Sequence, residues 1–402
     1  MLDVNAIRAY FPVINKNPKL SYLDSAASSL KPQPVIDTIT SYYENLGVNV
    51  HRGVYDLSYK ATDLYEGARA KIQKFLNAKR EEEIVFTRGA SAALNLVAQS
   101  YGMKYISKGD EVITSELEHH SSHMPWFNVC KAKGATLKYV ELNEEGRITV
   151  ENFKKALTDK TKLVALTYVS IVMGYITPIK EIIKICHERG IVVSVDGAQA
   201  VPHMKIDVQD LDCDFFVFSG HKMYAPMGIG GLYGRAEWLE KLPPYQFGGE
   251  MVDTVSFEKT TFNVLPFKFE AGTPNVGAAL GLETAVQFLQ SLDREKVERY
   301  EAQLLQAAIQ QLSEIEGIRF IGEAKQRSGL VSFVIDGIHP YDLGTIIDKM
   351  GVAVRTGHHC AEPVMTRFGI PGTVRASFAL YNTLEEVEIF VKAVKKAAMM
   401  LR

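Results

Sequence analysis

The sequence is poor in several features that would mark a specialised class. Four cysteines stand in 402 residues, Cys130, Cys186, Cys213 and Cys360, and no two form a C-x-x-C pair. That spacing indicates neither a zinc ribbon nor a disulfide framework, and it fits reduced thiols in a cytoplasmic compartment. Neither sign of charge is in excess: 45 Lys and Arg against 47 Asp and Glu leave a net −2. Tracking a phosphate backbone draws on a surplus of Lys and Arg, so nucleic acid is not expected as the main partner. Long apolar runs are missing too. The longest uncharged stretch, Leu163 to Ile179, is shorter than a bilayer span and carries Gly174, Pro178 and several hydroxyls; it reads as a buried strand plus a loop, with no membrane partner expected. The start, MLDVNAIRAYF, has an acid at Asp3 and no basic segment ahead of an apolar core, so no secretory signal is expected. Repeats, charge blocks and low-complexity linkers are not found, which implies domains packed together without a flexible tether.

What the chain does have is an ordinary globular composition, 47% hydrophobic and 23% charged, and enough length for two or three domains or one enzyme-sized unit with a lobe. From about residue 60 to 235, amphipathic helical stretches alternate with short apolar runs at 84–86, 111–114, 162–166, 191–195 and 215–218. That alternation predicts a mainly parallel sheet flanked by helices. After about 265 the texture becomes that of an α+β lobe: a long helix over roughly 277–312, a strand at 330–335, a helix near 341–350, a strand at 353–355 and a charged C-terminal helix. The expected division is a large domain at 21–264 and a smaller lobe made of 1–20 and 265–402.

Open α/β sheets bind ligands beyond the carboxyl ends of their strands, so the polar residues that follow each apolar run are the candidates. After 84–86 comes Thr87-Arg88-Gly89-Ala90-Ser91, a turn opening a helix. Its backbone N–H groups and Ser91 suit a phosphate, and Ser91 equally suits a helix cap. After 111–114 comes Glu118-His119-His120, where His119 fits a residue that stacks on a flat cofactor or moves a proton, or else a surface histidine. His119 and His123 have helical metal spacing but no HExxH pattern accompanies them, so no metal is expected. The run at 191–195 ends at Asp196 and that at 215–218 at Ser219-Gly220-His221-Lys222. Singly each is ambiguous. Together, a carboxylate and a lysine flanked by Ser and His form the set that pyridoxal 5'-phosphate requires: an amine for the Schiff base, an acid for the pyridine nitrogen, and polar groups for the phosphate. Late in the chain, Cys360 follows Arg355 and His358-His359 in a setting that favours a thiolate nucleophile. Cys130, Cys186 and Cys213 read as small core residues. Arg375 fits bidentate capture of a carboxylate, or an exposed surface position.

Tyr22-Leu23-Asp24-Ser25-Ala26-Ala27, Val50-His51-Arg52-Gly53, Glu118-His119-His120, Val195-Asp196-Gly197-Ala198-Gln199, Ser219-Gly220-His221-Lys222, Phe269-Glu270-Ala271-Gly272-Thr273-Pro274 and Arg355-Thr356-Gly357-His358-His359-Cys360 resemble, in order and spacing, the group II (SufS-type) cysteine desulfurases. These belong to the class V aminotransferase-like enzymes that depend on pyridoxal phosphate, and the resemblance runs essentially end to end. It implies an α/β fold of fold type I, with a mainly parallel seven-stranded sheet in the large domain and a smaller α+β C-terminal domain. It implies a homodimer that takes sulfur from L-cysteine, releases L-alanine and leaves a persulfide on Cys360 for iron–sulfur cluster assembly, with a SufE-like or SufU-like acceptor. By the family pattern Lys222 carries the cofactor and moves protons, Asp196 pairs with the ring nitrogen, Gln199 reaches the ring hydroxyl and His119 stacks on the ring. Ala90, Ser91, Ser219 and His221 hold the phosphate, with Thr273 arriving from the other subunit. Arg375 and Arg355, with Ala26, His51 and Arg52, bind the substrate.

The chain departs from that pattern in places. Ile171 stands where relatives usually carry Asn, and isoleucine donates no side-chain hydrogen bond. Ala90-Ser91 replaces a common pair of threonines, and Ala225 and Met227 replace the usual Gly and Thr after the lysine. The anchors are present while the tuning differs, so slower or altered desulfuration is expected. Selenocysteine or cysteine sulfinate as preferred substrate, and a non-catalytic scaffold of the same fold, are the competing expectations. Tyr341 resembles the SufE-dependent members.

Overall fold

The structure is a computed structural model and describes residues 2–322 and 328–402. Seven strands form the main sheet: β1 (Ile84–Thr87), β2 (Glu111–Ser115), β3 (Thr136–Val140), β4 (Thr161–Thr167), β5 (Val192–Asp196), β6 (Phe215–Ser219) and β7 (Gly230–Gly234). Their order across the sheet is β1-β7-β6-β5-β4-β2-β3. The neighbours from β6 to β3 are parallel, and β7 runs antiparallel between β1 and β6. Every residue of β5 and β6 is buried, as expected where helices cover both faces of a parallel sheet. The covering helices show why: Ile179–His187 buries Ile179, Ile182, Ile183 and Cys186 on one side, the spacing of a single helical stripe.

A second sheet of four strands, β8 (Ile318–Phe320), β9 (Leu330–Ile335), β10 (Arg355–Gly357) and β11 (Thr373–Ser377), has the order β8-β9-β11-β10 and is antiparallel throughout. Helices Arg294–Leu312 and Leu384–Leu401 pack on it through Leu304, Ala308, Phe390 and Val394. The two sheets are joined near their working edges, where Asp24 bridges to Ser377 and Ser21–Tyr22 pairs in parallel with Val352–Ala353.

Several elements differ from the sequence-based expectation. The helix expected over 277–312 is two helices, Val276–Gln290 and Arg294–Leu312, because the Asp293 side chain accepts from Lys296 N at 3.1 Å and starts a new helix there. The strand expected at 353–355 is split between two sheets. β3 and β7 were not signalled by apolar periodicity: β3 is a half-exposed edge strand, and β7, GGLYG, is rich in glycine, which propensity assigns to turns. One apolar cluster around the large sheet includes Ile7, Phe11, Ile14, helix Val276–Gln290 and residues as far as Tyr381, so it crosses the boundary expected at 264. Among the described residues no helix is long and apolar enough to cross a membrane.

Candidate active site

The carboxyl ends of β1, β2, β4, β5 and β6 converge on a cavity of about 600 Å³, closed on the other side by the 22–28 segment and by residues of the second sheet. Of the expected site residues, Ala26, Ala90, Ser91, His119, Asp196, Ser219, His221, Lys222, Arg355, Cys360 and Arg375 all line it. Positions from 26 to 375 meet there because the sheet order brings non-consecutive strands side by side.

At one end, Gly89 (φ 147°) precedes the helix Ala90–Val97 and offers no side-chain cap. Ala90 N donates to Ser219 Oγ at 2.9 Å, and the hydroxyls of Ser91 and Ser121 lie 2.6 Å apart. This puts a helix N-terminus and three hydroxyls around one corner, a setting for a phosphate. Lys222 closes a short helical turn, Gly220–Lys222, directly after β6. Burial lowers its amine to about 8, while the Asp196 carboxylate opposes that shift. Asp196 is itself pushed up by burial and held down by Lys222 and by Ala198 N, which donates to Oδ1 at 3.0 Å. Each charge thus stabilises the other in a place that solvates neither.

His119 caps the helix His120–Lys133, its Nδ1 accepting from Ser121 N at 3.1 Å. An accepting Nδ1 places the ring proton on Nε2. Burial, then the charges of Lys222, His120 and Arg375, lower this imidazole to about 4, so it is neutral near pH 7. His221 is lowered to about 4 by burial and by Lys222 and Lys31.

Arg375 is not the exposed surface residue of one expectation: it is 1% exposed, on the central strand β11. Its Nη1 donates to Ile171 O at 3.0 Å and Nη2 to Asp24 Oδ1 at 3.2 Å, and its buried Nε has no hydrogen-bond partner among the described residues. Burial lowers it to about 10, still cationic at neutral pH. Arg355 also faces Asp24, at 3.8 Å. Asp24 was not singled out from the sequence. Its role appears only when two arginines distant in the chain are brought to it.

Cys360 is exposed, whereas Cys130, Cys186 and Cys213 are buried, with burial raising the thiols of Cys130 to about 11 and Cys186 to about 12, and Cys213 further in the same direction. His359 and Cys360 both take left-handed backbone, φ 53° and 57°, a costly conformation for residues with a Cβ. The turn is held by Cys360 O, which accepts from His120 N at 2.7 Å, and by His359 Nε2 against Thr373 Oγ1 at 2.7 Å. The thiol is thereby fixed on a short ordered turn at the cavity wall.

Four expected residues do not line this chain's cavity. Gln199 Nε2 donates to Ala26 O at 2.8 Å. His51 Nε2 lies 2.8 Å from Glu66, Arg52 Nε lies 3.1 Å from Glu250, and Thr273 is exposed. The other residues fit pyridoxal phosphate: an amine and a carboxylate that stabilise one another, a neutral imidazole on the cavity wall, and an anion-binding corner.

Comparisons with known proteins agree with this geometry. Residues 21–390 match the family described as aminotransferase class-V. The chain is 49% identical to a probable cysteine desulfurase of Halalkalibacterium halodurans, covering 98% of each chain, and 48% identical to one of Vibrio cholerae, covering 100% of each. Its fold is similar to that of the cysteine desulfurase CsdA of Escherichia coli, with TM-score 0.94 and 38% identity over 100% of each chain. It is equally similar to a cysteine desulfurase of Thermococcus onnurineus, with TM-score 0.94 and 38% identity over 98% of each.

Proposed function

Given that the chain belongs to the class-V aminotransferase family, we propose that it is a group II (SufS-type) cysteine desulfurase, taking sulfur from L-cysteine and releasing L-alanine. The observation that carries this reading is the presence of an exposed cysteine, Cys360, on the wall of the cavity that also holds Lys222, Asp196 and Arg375. Pyridoxal phosphate, bound at Lys222, would supply an electron sink for the substrate carbons. The remaining work belongs to the chain. Ile171 O and Asp24 engage two of the Arg375 N–H groups, so the guanidinium keeps donors for the substrate carboxylate while Asp24 holds its orientation. Lys222, lowered to about 8, exchanges protons readily near neutral pH. Neutral His119, with its proton on Nε2, would lie over the ring. Asp196 would support charge at the ring nitrogen. The Cys360 thiolate then attacks the substrate sulfur: an S–S bond forms and the Cβ–S bond breaks. The electron pair stays with the carbon skeleton, which takes up a proton to become alanine, and the persulfide remains on Cys360.

The same reading includes a homodimer, a SufE-like or SufU-like acceptor, and delivery of sulfur to iron–sulfur cluster assembly in the cytoplasm. Support for the dimer comes from Thr273, His51 and Arg52, which do not line their own chain's cavity, and from exposed apolar side chains such as Val54 (88%) and Phe257 (107%). The test is to load the purified chain with pyridoxal phosphate, record the visible absorbance, and assay alanine and sulfide from L-cysteine with and without Cys360→Ala. Absorbance together with Cys360-dependent alanine release is expected. Alanine only from selenocysteine or cysteine sulfinate would reassign the substrate, and no product from any of the three would favour a scaffold.

A further inference from the structure

Glu118 is a buried acid to which the proposed reaction assigns nothing. It is 1% exposed and directly precedes His119. Its Oε1 accepts from Ser115 Oγ at 2.7 Å and from Thr167 N at 3.0 Å. Ser115 ends β2, the strand that leads into His119, and Thr167 ends β4, where it pairs in register with Asp196 of β5. Tyr168 N, next along, donates to Asp196 O at 2.9 Å. One carboxyl oxygen therefore ties the segment that carries His119 to the strand end that stands beside Asp196. The other oxygen is buried, and the Ser122 hydroxyl acts on the same carboxyl.

We propose that Glu118 is a positioning residue that sets the height of His119 over Asp196, and so the width of the slot that receives the flat cofactor ring. It does so as an uncharged acid. Burial, with the Asp196 carboxylate adding to it, raises Glu118 to about 8. Two buried carboxylates that act on one another are costly to keep both charged, and Asp196 is the one with the Lys222 charge and Ala198 N to support it. Removing Glu118 would release the His119 segment from β4. Replacing it with glutamine would keep an accepting oxygen for Ser115 and Thr167 at the same shape and charge.

This inference rests on the cofactor reading above, and its test separates the two. Wild type, Glu118→Gln, Glu118→Ala and Ser115→Ala are compared for thermal stability without cofactor, pyridoxal phosphate dissociation constant and visible absorbance maximum. Glu118→Gln is expected to match wild type within about twofold. Glu118→Ala should weaken cofactor affinity by about tenfold, the scale of one or two lost hydrogen bonds, and shift the absorbance maximum. Ser115→Ala should act in the same direction to a smaller extent, and it carries the comparison if Glu118→Ala does not fold. A Glu118→Gln variant as impaired as Glu118→Ala would overturn the uncharged role. Folded Glu118→Ala or Ser115→Ala proteins with wild-type affinity and spectrum would overturn the positioning role while leaving the cofactor reading intact. A wild-type chain that binds no pyridoxal phosphate would overturn both.

Discussion

Ile171 shows how a side chain can depart from a family pattern while its backbone keeps a place in the site. Its carbonyl accepts from Arg375 Nη1 at 3.0 Å, and its apolar side chain lines the cavity. That backbone contact helps to orient Arg375 whatever the side chain, and the isoleucine side chain offers the cavity no donor, which an asparagine would supply. Ile171→Asn should add that donor and raise kcat for L-cysteine several-fold, on the scale of one hydrogen bond; unchanged spectra and rates would remove that donor from consideration. The histidines of the site make a second case. Burial holds His119 and His221 at about 4 and His359 at about 2, all below the 6.5 of a free imidazole. At these three imidazoles the folded state thus binds fewer protons than the unfolded one, while the raised Glu118 and Asp196 carboxyls act in the opposite sense. The associated stability is present above about pH 6.5 and is lost as pH falls toward 4. Melting temperature should drop by a few degrees between pH 7 and pH 5, and His359→Gln should flatten that slope; an identical slope in the variant would count against the assignment.

Among the elements, the glycine-rich strand β7 matters most for the site. A Cβ on Gly230 would lie 2.5 Å from Phe218 O and 2.7 Å from Gly89 Cα, both backbone atoms that cannot yield without moving β6 or the turn before Ala90. Glycine there is what lets the anion-binding turn sit against the sheet. Gly230→Ala is expected to displace that turn and weaken pyridoxal phosphate binding by tenfold or more, about 1.4 kcal/mol, and an equilibrium titration of the cofactor-free chain would read it. Full affinity in the variant would show that the turn has slack. The Cys360 turn has the opposite character: its two left-handed residues carry side chains, and contacts from His120 N and Thr373 hold them.

For the whole molecule, one ion-pair network ties together the segments that do not line this chain's cavity. Arg69, buried, reaches Glu270 at 2.6 Å and Glu66 at 2.8 Å, and Glu66 holds His51. The His51 segment and Glu270, three residues before Thr273, are thus linked through Arg69 and Glu66. If the proposed dimer exists, sedimentation should give twice the chain mass. Val54→Lys combined with Phe257→Lys, at exposed apolar positions, should shift it toward one chain and reduce desulfuration with it. Wild-type sedimentation at a single chain mass would remove the dimer from the reading.

Much of this was legible along the chain. The apolar runs at 84–86, 111–114, 162–166, 191–195 and 215–218 became strands of the main sheet with small changes at their ends, because consecutive apolar residues bounded by polar turns have few alternatives in a chain this size. The residues that follow them, and the contrast between Cys360 and the three buried thiols, are local chemistry and were readable as such. What the tertiary structure alone decided depends on partners distant in the chain. Asp24 gains a role from Arg355 and Arg375, more than three hundred residues away. Arg375 becomes a buried, oriented cation because β11 is a central strand. Glu118 becomes an uncharged strap because Thr167 and Asp196 close over it. Periodicity reports which side of an element faces the core, but burial, charge state and hydrogen-bond partner are set by what the other elements place opposite it.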